Sequence, residues 1–423
     1  MIRATTNGVM KSYRRNLNSS ALTLNKARDT VLNNGRYFTS YAEDPGAASQ
    51  AFKLRRSFVR TNSQLSTSDT IIRKFTSAWT SMGTVINCVD NVTDNSAFAA
   101  VLRGDNDPTA GGRAALGRQL KELSESIVQT MNGKYGDTFV FAGADGLNVP
   151  FSWGEDGELL YRGIPVDTEV PNVLEDAGGN KITDANGDYI ISKNLETVTQ
   201  ADYNADPAAY NVLMQADGTT PIEDKDGNYI IDDGNVETIS VADYNKAVEN
   251  LEKLDYLARE KNFADIGLGL QEDDSGKLIE ASAYNAAISG IDFLGYGVDE
   301  DGDPKNVASI VKRMGEILTN CDQDGKFVGG EREEYERLLN KLGTVGGDLH
   351  EKHVELDART TFLNNNHAQL IINSDTLNEQ INGIERMDLA EAITSFSWAQ
   401  YCYNAALKVG NSILSQSLID YMN

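Results

Sequence analysis

Apolar residues over positions 9–32 fall mostly three, four or seven apart: Val9, Tyr13, Leu17, Leu24, Val31 and Leu32. The same rhythm returns at the far end, over 389–418, in Leu389, Ile393, Phe396, Tyr403, Leu407, Gly410, Leu414 and Leu418. A three/four alternation puts a narrow apolar stripe on one helix face, a seam that another helix must cover. Two such stripes at opposite ends of one chain predict a helical pair that also offers itself to neighbouring subunits. The pattern points to an assembly protein rather than an enzyme.

Between these ends the pattern changes twice. The first helix stops at Asn33-Asn34-Gly35, residues that tolerate the left-handed cap. After the turn at Tyr41–Gly46 a long helix is predicted over about 46–95, with Ala48, Phe52, Phe58, Leu65, Ile72, Phe75, Met82, Ile86 and Val89 at helical intervals. A third helix, roughly 113–133, ends at Asn132-Gly133. From Phe139 to Val166 apolar residues alternate with polar ones and turn signals, which reads as short strands. An internal repeat follows: Asp184–Ile191 recurs as Asp224–Ile231, and Glu196–Asn204 recurs as Glu237–Asn245. Two copies are too few for a solenoid, and each is read as a hairpin plus a short helix, spanning 184–204 and 224–245. Residues 241–261 read as helix and 263–300 as strands and loops. From Val307 the helical register resumes, with breaks expected near 321–330 and 343–347. The expected fold class is therefore a mainly α-helical rod, its terminal helices paired like an antiparallel coiled coil, carrying an inserted α+β outer domain.

Charge sharpens this division. The net charge of the 423 residues is −25. Residues 1–75 hold 13 Lys+Arg against 4 Asp+Glu, whereas residues 143–305 hold 10 against 35. The middle segment thus accounts for the whole imbalance and reads as solvated and exposed. Lys11, Arg14, Arg15, Lys26 and Arg28 sit among the apolar positions of a helix without interleaved glycine or aromatic residues, so no nucleic-acid partner is expected. No apolar run reaches membrane-spanning length, and residues 1–16 lack a signal-peptide core. Cys88, Cys321 and Cys402 are too far apart for a metal or disulfide framework and read as small buried thiols.

Candidate chemistry is thin. His350-Glu351-Lys352-His353 falls one residue short of the zinc-protease spacing, and His367 lies too far along a helix to complete it. All three read as ordinary surface histidines. Asp184-x-Asn186-Gly187-Asp188, Asp224-x-Asp226-Gly227 and Asp322-x-Asp324-Gly325 suggest either hairpin turns or weak calcium loops. The glycines near 290–297 and 343–347 follow no phosphate-loop pattern. No catalytic residue, cofactor or resident metal is expected.

Several segments resemble the flagellin superfamily, and within it the family of hook–filament junction proteins, hook-associated protein 3. They are Arg14, Leu17, Asn18, Ser19 and Ser20 with Asn34-Gly35-Arg36 downstream; Glu43-Asp44-Pro45-Gly46-Ala47-Ala48-Ser49-Gln50-Ala51; Asn132 to Gly143 followed by Pro150-Phe151; and Ile384–Glu391 with the end Leu418–Asn423. Glu43 stands where the family pattern has Asp, and the likeness covers residues 1–166 and 306–423. It implies a terminal assembly domain (1–40 plus 385–423), a helical rod (41–142 plus 306–384) and an inserted outer domain (143–305). Assembly would use Leu17, Leu24, Val31, Glu43, Asp44, Pro45, Leu389, Ile393, Phe396, Tyr403, Leu407, Leu414 and Leu418. The implied partners are a ring of the chain's own copies, a neighbouring hook-associated protein, flagellin, and an export chaperone before secretion. The implied location is the extracellular flagellum, reached through the flagellar type III apparatus without a cleaved signal. The alternative within the superfamily is a flagellin, a filament subunit. A two-helix seam nearly balances its ordering cost, so the terminal arms are expected to be poorly ordered in the free monomer and to fold against neighbours during assembly.

Overall fold

The computed structural model of the chain describes residues 6–38, 40–95, 98, 101, 110–176, 178–184, 186–193, 195–215, 220–234, 236–322 and 326–422, without the side chains of 6, 7, 110, 111 and 413–422. The chain is mainly helical with several small sheets. It divides into two compact units, residues 1–69 with 364–423, and residues 70–363.

In the first unit, α1 (Thr6–Leu32) packs along α9 (Leu389–Met422). The half-buried residues of α1 include Met10, Tyr13, Leu17, Ser20, Leu24, Ala27 and Val31 at a three/four alternation, with Ala21 and Thr30 beside that row. Its end is as expected: Asn34 (φ +59°) and Gly35 (φ +81°) are both left-handed, and the Gly35 N–H closes on Thr30 O at 2.8 Å. Glycine is required here, since a Cβ on Gly35 would lie 2.5 Å from the Met387 carbonyl. Backbone bonds Met387 N–H to Gly35 O (2.7 Å) and Tyr37 N–H to Glu385 O (2.8 Å) join the two chain ends there. α2 (Pro45–Thr93) begins at a built cap: the Asp44 carboxylate accepts the Ala47 N–H at 2.9 Å and Pro45 occupies the first helical position. Within this unit α2 meets α8 (Glu331–Glu385) through Ser374 Oγ donating to Asn62 Oδ1 (2.9 Å) and an Arg55–Glu385 ion pair.

The second unit holds most of the apolar interior. α3 (Ala110–Met131) crosses α7 (Val307–Thr319) at Gly117 and Gly315, where a Cβ on either would lie 2.7–2.8 Å from the other's carbonyl oxygen. α7 is capped by Asn306, whose side chain accepts the Ala308 N–H at 2.9 Å. Small antiparallel sheets continue this core. β1 (Lys134–Tyr135) pairs with β2 (Thr138–Phe139), and β3 (Phe151–Trp153), β4 (Leu159–Tyr161) and β5 (Ile164–Pro165) form a three-stranded meander. The Asn132 amide clamps Phe151 by donating to its carbonyl and accepting from its N–H, both at 2.9 Å. The β4–β5 turn places Arg162 (φ +50°) and Gly163 (φ +81°) in left-handed conformations, the two-residue hairpin geometry that matches strand twist.

The duplicated stretch comprises β6 (Tyr189–Ile190), β7 (Thr197–Val198), α4 (Gln200–Ala205), β8 (Tyr229–Ile230), β9 (Thr238–Ile239) and α5 (Val241–Ala258). The motif turns are hairpins, but the ladder strands pair across the copies, β6 with β9 and β7 with β8. Next come β10 (Phe263–Ala264) paired with β11 (Tyr284–Asn285), then a short α6 (Gly290–Leu294). The expected break near 321–330 is present, with α7 ending at Thr319 and α8 starting at Glu331. The break expected at 343–347 is absent. α8 runs through Gly343, Gly346 and Gly347 because its inward positions Leu342, Leu349, Leu356, Leu363, Leu370 and Leu377 recur every seven residues and hold the helix in register.

Candidate assembly surface

α9 presents a second strict alternation toward α1: Ala392, Phe396, Ala399, Tyr403, Ala406 and Gly410. The small members let the helices approach closely, and a Cβ on Gly410 would collide with the Tyr13 ring. Of the sequence candidates, Leu17, Leu24, Val31, Phe396 and Tyr403 are half-buried at this seam. Leu389, Ile393 and Leu407 instead remain exposed, Ile393 by 49% and Leu407 by 43%, two heptads apart on the flank of the seam row. Leu414 and Leu418 lie outside the described side chains. Asp44 and Pro45 build the α2 cap, and Glu43 precedes it in the chain.

The structure adds apolar residues that the stripe reading passed over. Leu22 is exposed on α1, as is Leu32, which the stripe reading includes. On α9, Trp398 (64%) and Tyr401 (68%) form an exposed edge-to-face pair with ring centroids 5.9 Å apart, and Val409 is exposed further along. Trp398 and Tyr401 are three residues apart, so a search for a second stripe would have found them. Among the described residues of this unit, the buried apolar side chains are Ala51, Leu370, Ile381, Ala392 and Ala399. A unit with so small an interior and so many exposed large apolar residues has the surface of something to be covered.

The other candidates resolve into structural roles. Asp184 and Asp224 each spend one carboxylate oxygen on the backbone N–H groups two and four residues on, at 2.8–2.9 Å, which is a hairpin turn. Asp176, Asp273 and Asp299 open turns of the same design. At Asp322 the Lys326 N–H bonds to the carboxylate at 2.7 Å, while residues 323–325 lie outside the description. Asp299, Asp301 and Asp303 bring carboxylate oxygens close enough together to share a cation, and the Lys341 ammonium sits on them at 2.5, 3.1 and 2.5 Å. Arg337 adds two 3.1 Å bonds to Asp303. Burial opposes ionisation of Asp299 and Asp303, but Lys341 and the turn's backbone N–H groups at Asp299, and Arg337 with Lys341 at Asp303, outweigh it and hold both carboxyls below the ordinary range.

The histidines are not ordinary surface residues throughout. His350 faces Asp90 at 3.4 Å. His353 stacks on Trp79 with centroids 4.7 Å apart, its Nε2 3.0 Å from the Trp79 carbonyl. His367 is half-buried on α8, with Nδ1 enclosed and unpartnered. Each stands at or beside the seven-residue seam of α8, a position the motif reading did not consider. Cys88 and Cys321 are half-buried, and Cys402 is exposed on α9, against the expectation of a buried thiol. Among the described residues, no helix is long and apolar enough to cross a membrane.

No family profile and no curated protein sequence matches the chain. Solved structures similar to it include one described as a flagellar hook-associated protein from Vibrio parahaemolyticus, at 12% identity. That match covers 81% of this chain and all of the other, with a TM-score of 0.45. FlgL from Xanthomonas campestris is similar at 11% identity over 78% of this chain and 99% of its own, with a TM-score of 0.39. Flagellar hook associated protein-3 from Legionella pneumophila is similar at 12% identity over 78% and 98%, also with a TM-score of 0.39.

Proposed function

We propose that this chain is a structural subunit of the bacterial flagellum, an adaptor at the hook–filament junction that assembles by helix packing between its own copies. The observation that carries the reading is the unclosed terminal unit: α1 and α9 satisfy one seam and leave Leu22, Leu32, Leu389, Ile393, Trp398, Tyr401 and Leu407 exposed. Fully burying one such side chain contributes about 1.5–3 kcal/mol, so half-exposed members each leave roughly 1 kcal/mol for a neighbour to collect. The sequence motifs Glu43–Ala51, Phe141-Ala142-Gly143 with Pro150-Phe151, and Asp420-Tyr421-Met422 favour the junction role over a filament role.

In this reading residues 1–40 and 385–423 form the inner wall of a tube, residues 41–142 and 306–384 the shaft, and residues 143–305 an acidic outer domain. A hook-associated protein and flagellin lie on either side of the ring, and an export chaperone holds the chain before secretion. Quantitative mass spectrometry of flagella sheared from the native cells tests it. A trace amount, far below the main flagellin, is expected. Dominance would make the chain the filament subunit instead, and absence from intact hooks and filaments would end both readings.

A further inference from the structure

The two copies of the repeat are matched bond for bond. In the first, Leu174 N–H bonds to Ile190 O (2.8 Å), Ile182 N–H to Leu174 O (2.9 Å) and Ser192 N–H to Asn172 O (2.8 Å). In the second, Leu213 N–H bonds to Ile230 O (2.9 Å), Ile222 N–H to Leu213 O (2.9 Å) and Asp232 N–H to Asn211 O (2.7 Å). The contacts between copies are equally reciprocal. Ile191 N–H reaches Glu237 O and Ile231 N–H reaches Glu196 O, both at 2.9 Å. Tyr189 of the first copy meets Tyr244 on the helix of the second edge-to-face at 5.3 Å, and Tyr229 of the second meets Tyr203 on the helix of the first at 5.2 Å. Thr199 and Ser240 cap the two helices through the N–H groups of Asp202 and Asp243.

Each copy thus gives its Thr-Val or Thr-Ile strand and the following helix to the other copy's Tyr-Ile strand. That is the arrangement of an exchanged dimer, in which one surface is complementary to itself across a two-fold axis. The small core is shared in the same way: Leu174 and Ile190 come from one copy, Ile222 and Ile230 from the other. A single copy would leave a strand edge unpaired and half of this core open to water.

We infer that the repeat unit is a self-associating module whose duplication has brought a homodimer inside one chain, so that a chain carrying one copy binds a second copy of itself through this surface. With two copies the tethered partner outcompetes a free one, because the short connection sets a high effective concentration. The duplicated module is therefore closed in the present chain and leaves association between subunits to other surfaces. This reciprocity is independent of the flagellar reading.

Two full-chain deletions test it. Removing residues 200–240 joins Thr199 to Val241, so that one helix cap replaces its equivalent and only the first copy remains. Removing residues 172–210 joins Pro171 to Asn211 and leaves only the second. Light scattering at a concentration where the parent gains no mass should show each deletion variant at twice its chain mass. Amide exchange should show protection over the retained Tyr-Ile and Thr-Val or Thr-Ile strands. Ile190→Asp in the first variant, and Ile230→Asp in the second, should return the mass to that of one chain. The terminal helices are common to all these proteins, so association through them is matched by the parent. If both variants stay at the parent's state of association, the inference is overturned. This holds if the retained copy is protected, because it then closes on itself, and equally if it is unprotected, because it then has no affinity for its like.

Discussion

The two units use the same heptad grammar to opposite ends. Residues 70–363 carry 25 Lys+Arg against 53 Asp+Glu, and their inward stripes on α2, α7 and α8 are closed over by one another and by small sheets. Residues 1–69 with 364–423 carry 13 Lys+Arg against 10 Asp+Glu, and bury few apolar side chains while many large ones face water. A strongly charged surface over a full core keeps a body soluble and separate. A nearly neutral surface with exposed Trp, Tyr, Leu and Ile does the reverse. Under the proposed function the contrast gives stability to one unit and association to the other, and substitutions can push on each side separately.

The largest effect is expected at the α3–α7 crossing. Gly117→Ala or Gly315→Ala forces a methyl against a backbone carbonyl and should destabilise residues 70–363 by about 2–4 kcal/mol. Denaturant unfolding followed by amide exchange should show the loss there and leave the α1–α9 seam unchanged.

Next is Lys341→Met, which strips the ammonium from three carboxylates and should cost about 2 kcal/mol at neutral pH. Asp299 and Asp303 have depressed pKa values in the folded state. Their contribution is therefore present above the unfolded carboxylate value near pH 4 and is lost as pH falls below it. The penalty of the variant should shrink over that acidic range in urea titrations.

Asp167 has the opposite sign. Burial pushes its carboxyl up to about 6, outweighing the neighbouring Ser309 hydroxyl and Lys312 ammonium. The folded state holds this proton more tightly than the unfolded one, so its contribution declines as pH rises from about 4 to about 6 and is level above. Asp167→Asn should raise stability by about 1–2 kcal/mol at pH 7 and change little below pH 4. A loss of stability at pH 7 would contradict it.

The smallest effect is a gain. Gly343 and Gly347 are exposed in the middle of α8 with nothing near enough to exclude a methyl group. Replacing either with Ala should stabilise by about 0.5–1 kcal/mol, read as a modest rise in Tm.

Those glycines also show where sequence reasoning stops. Three glycines in five residues predict a break, each costing about 1 kcal/mol in a helix. The break is absent because Leu342 and Leu349 are anchored in the core on either side. Local signals were legible: the stop at Asn33–Gly35, the turn at Tyr41–Gly46 before α2 and the duplicated Asp-x-x-Gly turns depend on residues within a few positions. Pairing between the copies was not. Thr197-Val198 and Thr238-Ile239 are nearly the same strand, so pairing within and across copies looks identical in sequence. The division near residues 69 and 364 falls inside α2 and α8, where no turn residue marks it. Among the site candidates, periodicity found the terminal helices but could not tell Phe396 and Tyr403, which face the α1 seam, from Ile393 and Leu407, which flank it.

That distinction is what the account turns on. The most direct test is incorporation of the Ile393→Asp, Leu407→Asp double variant into flagella, measured by mass spectrometry against wild type expressed at the same level. Neither residue is buried in the chain alone, so the purified variant should keep its circular dichroism and melting profile while its incorporation falls at least tenfold, equivalent to about 1.4 kcal/mol or more. Wild-type incorporation of a folded double variant would contradict the assignment of this face to subunit assembly.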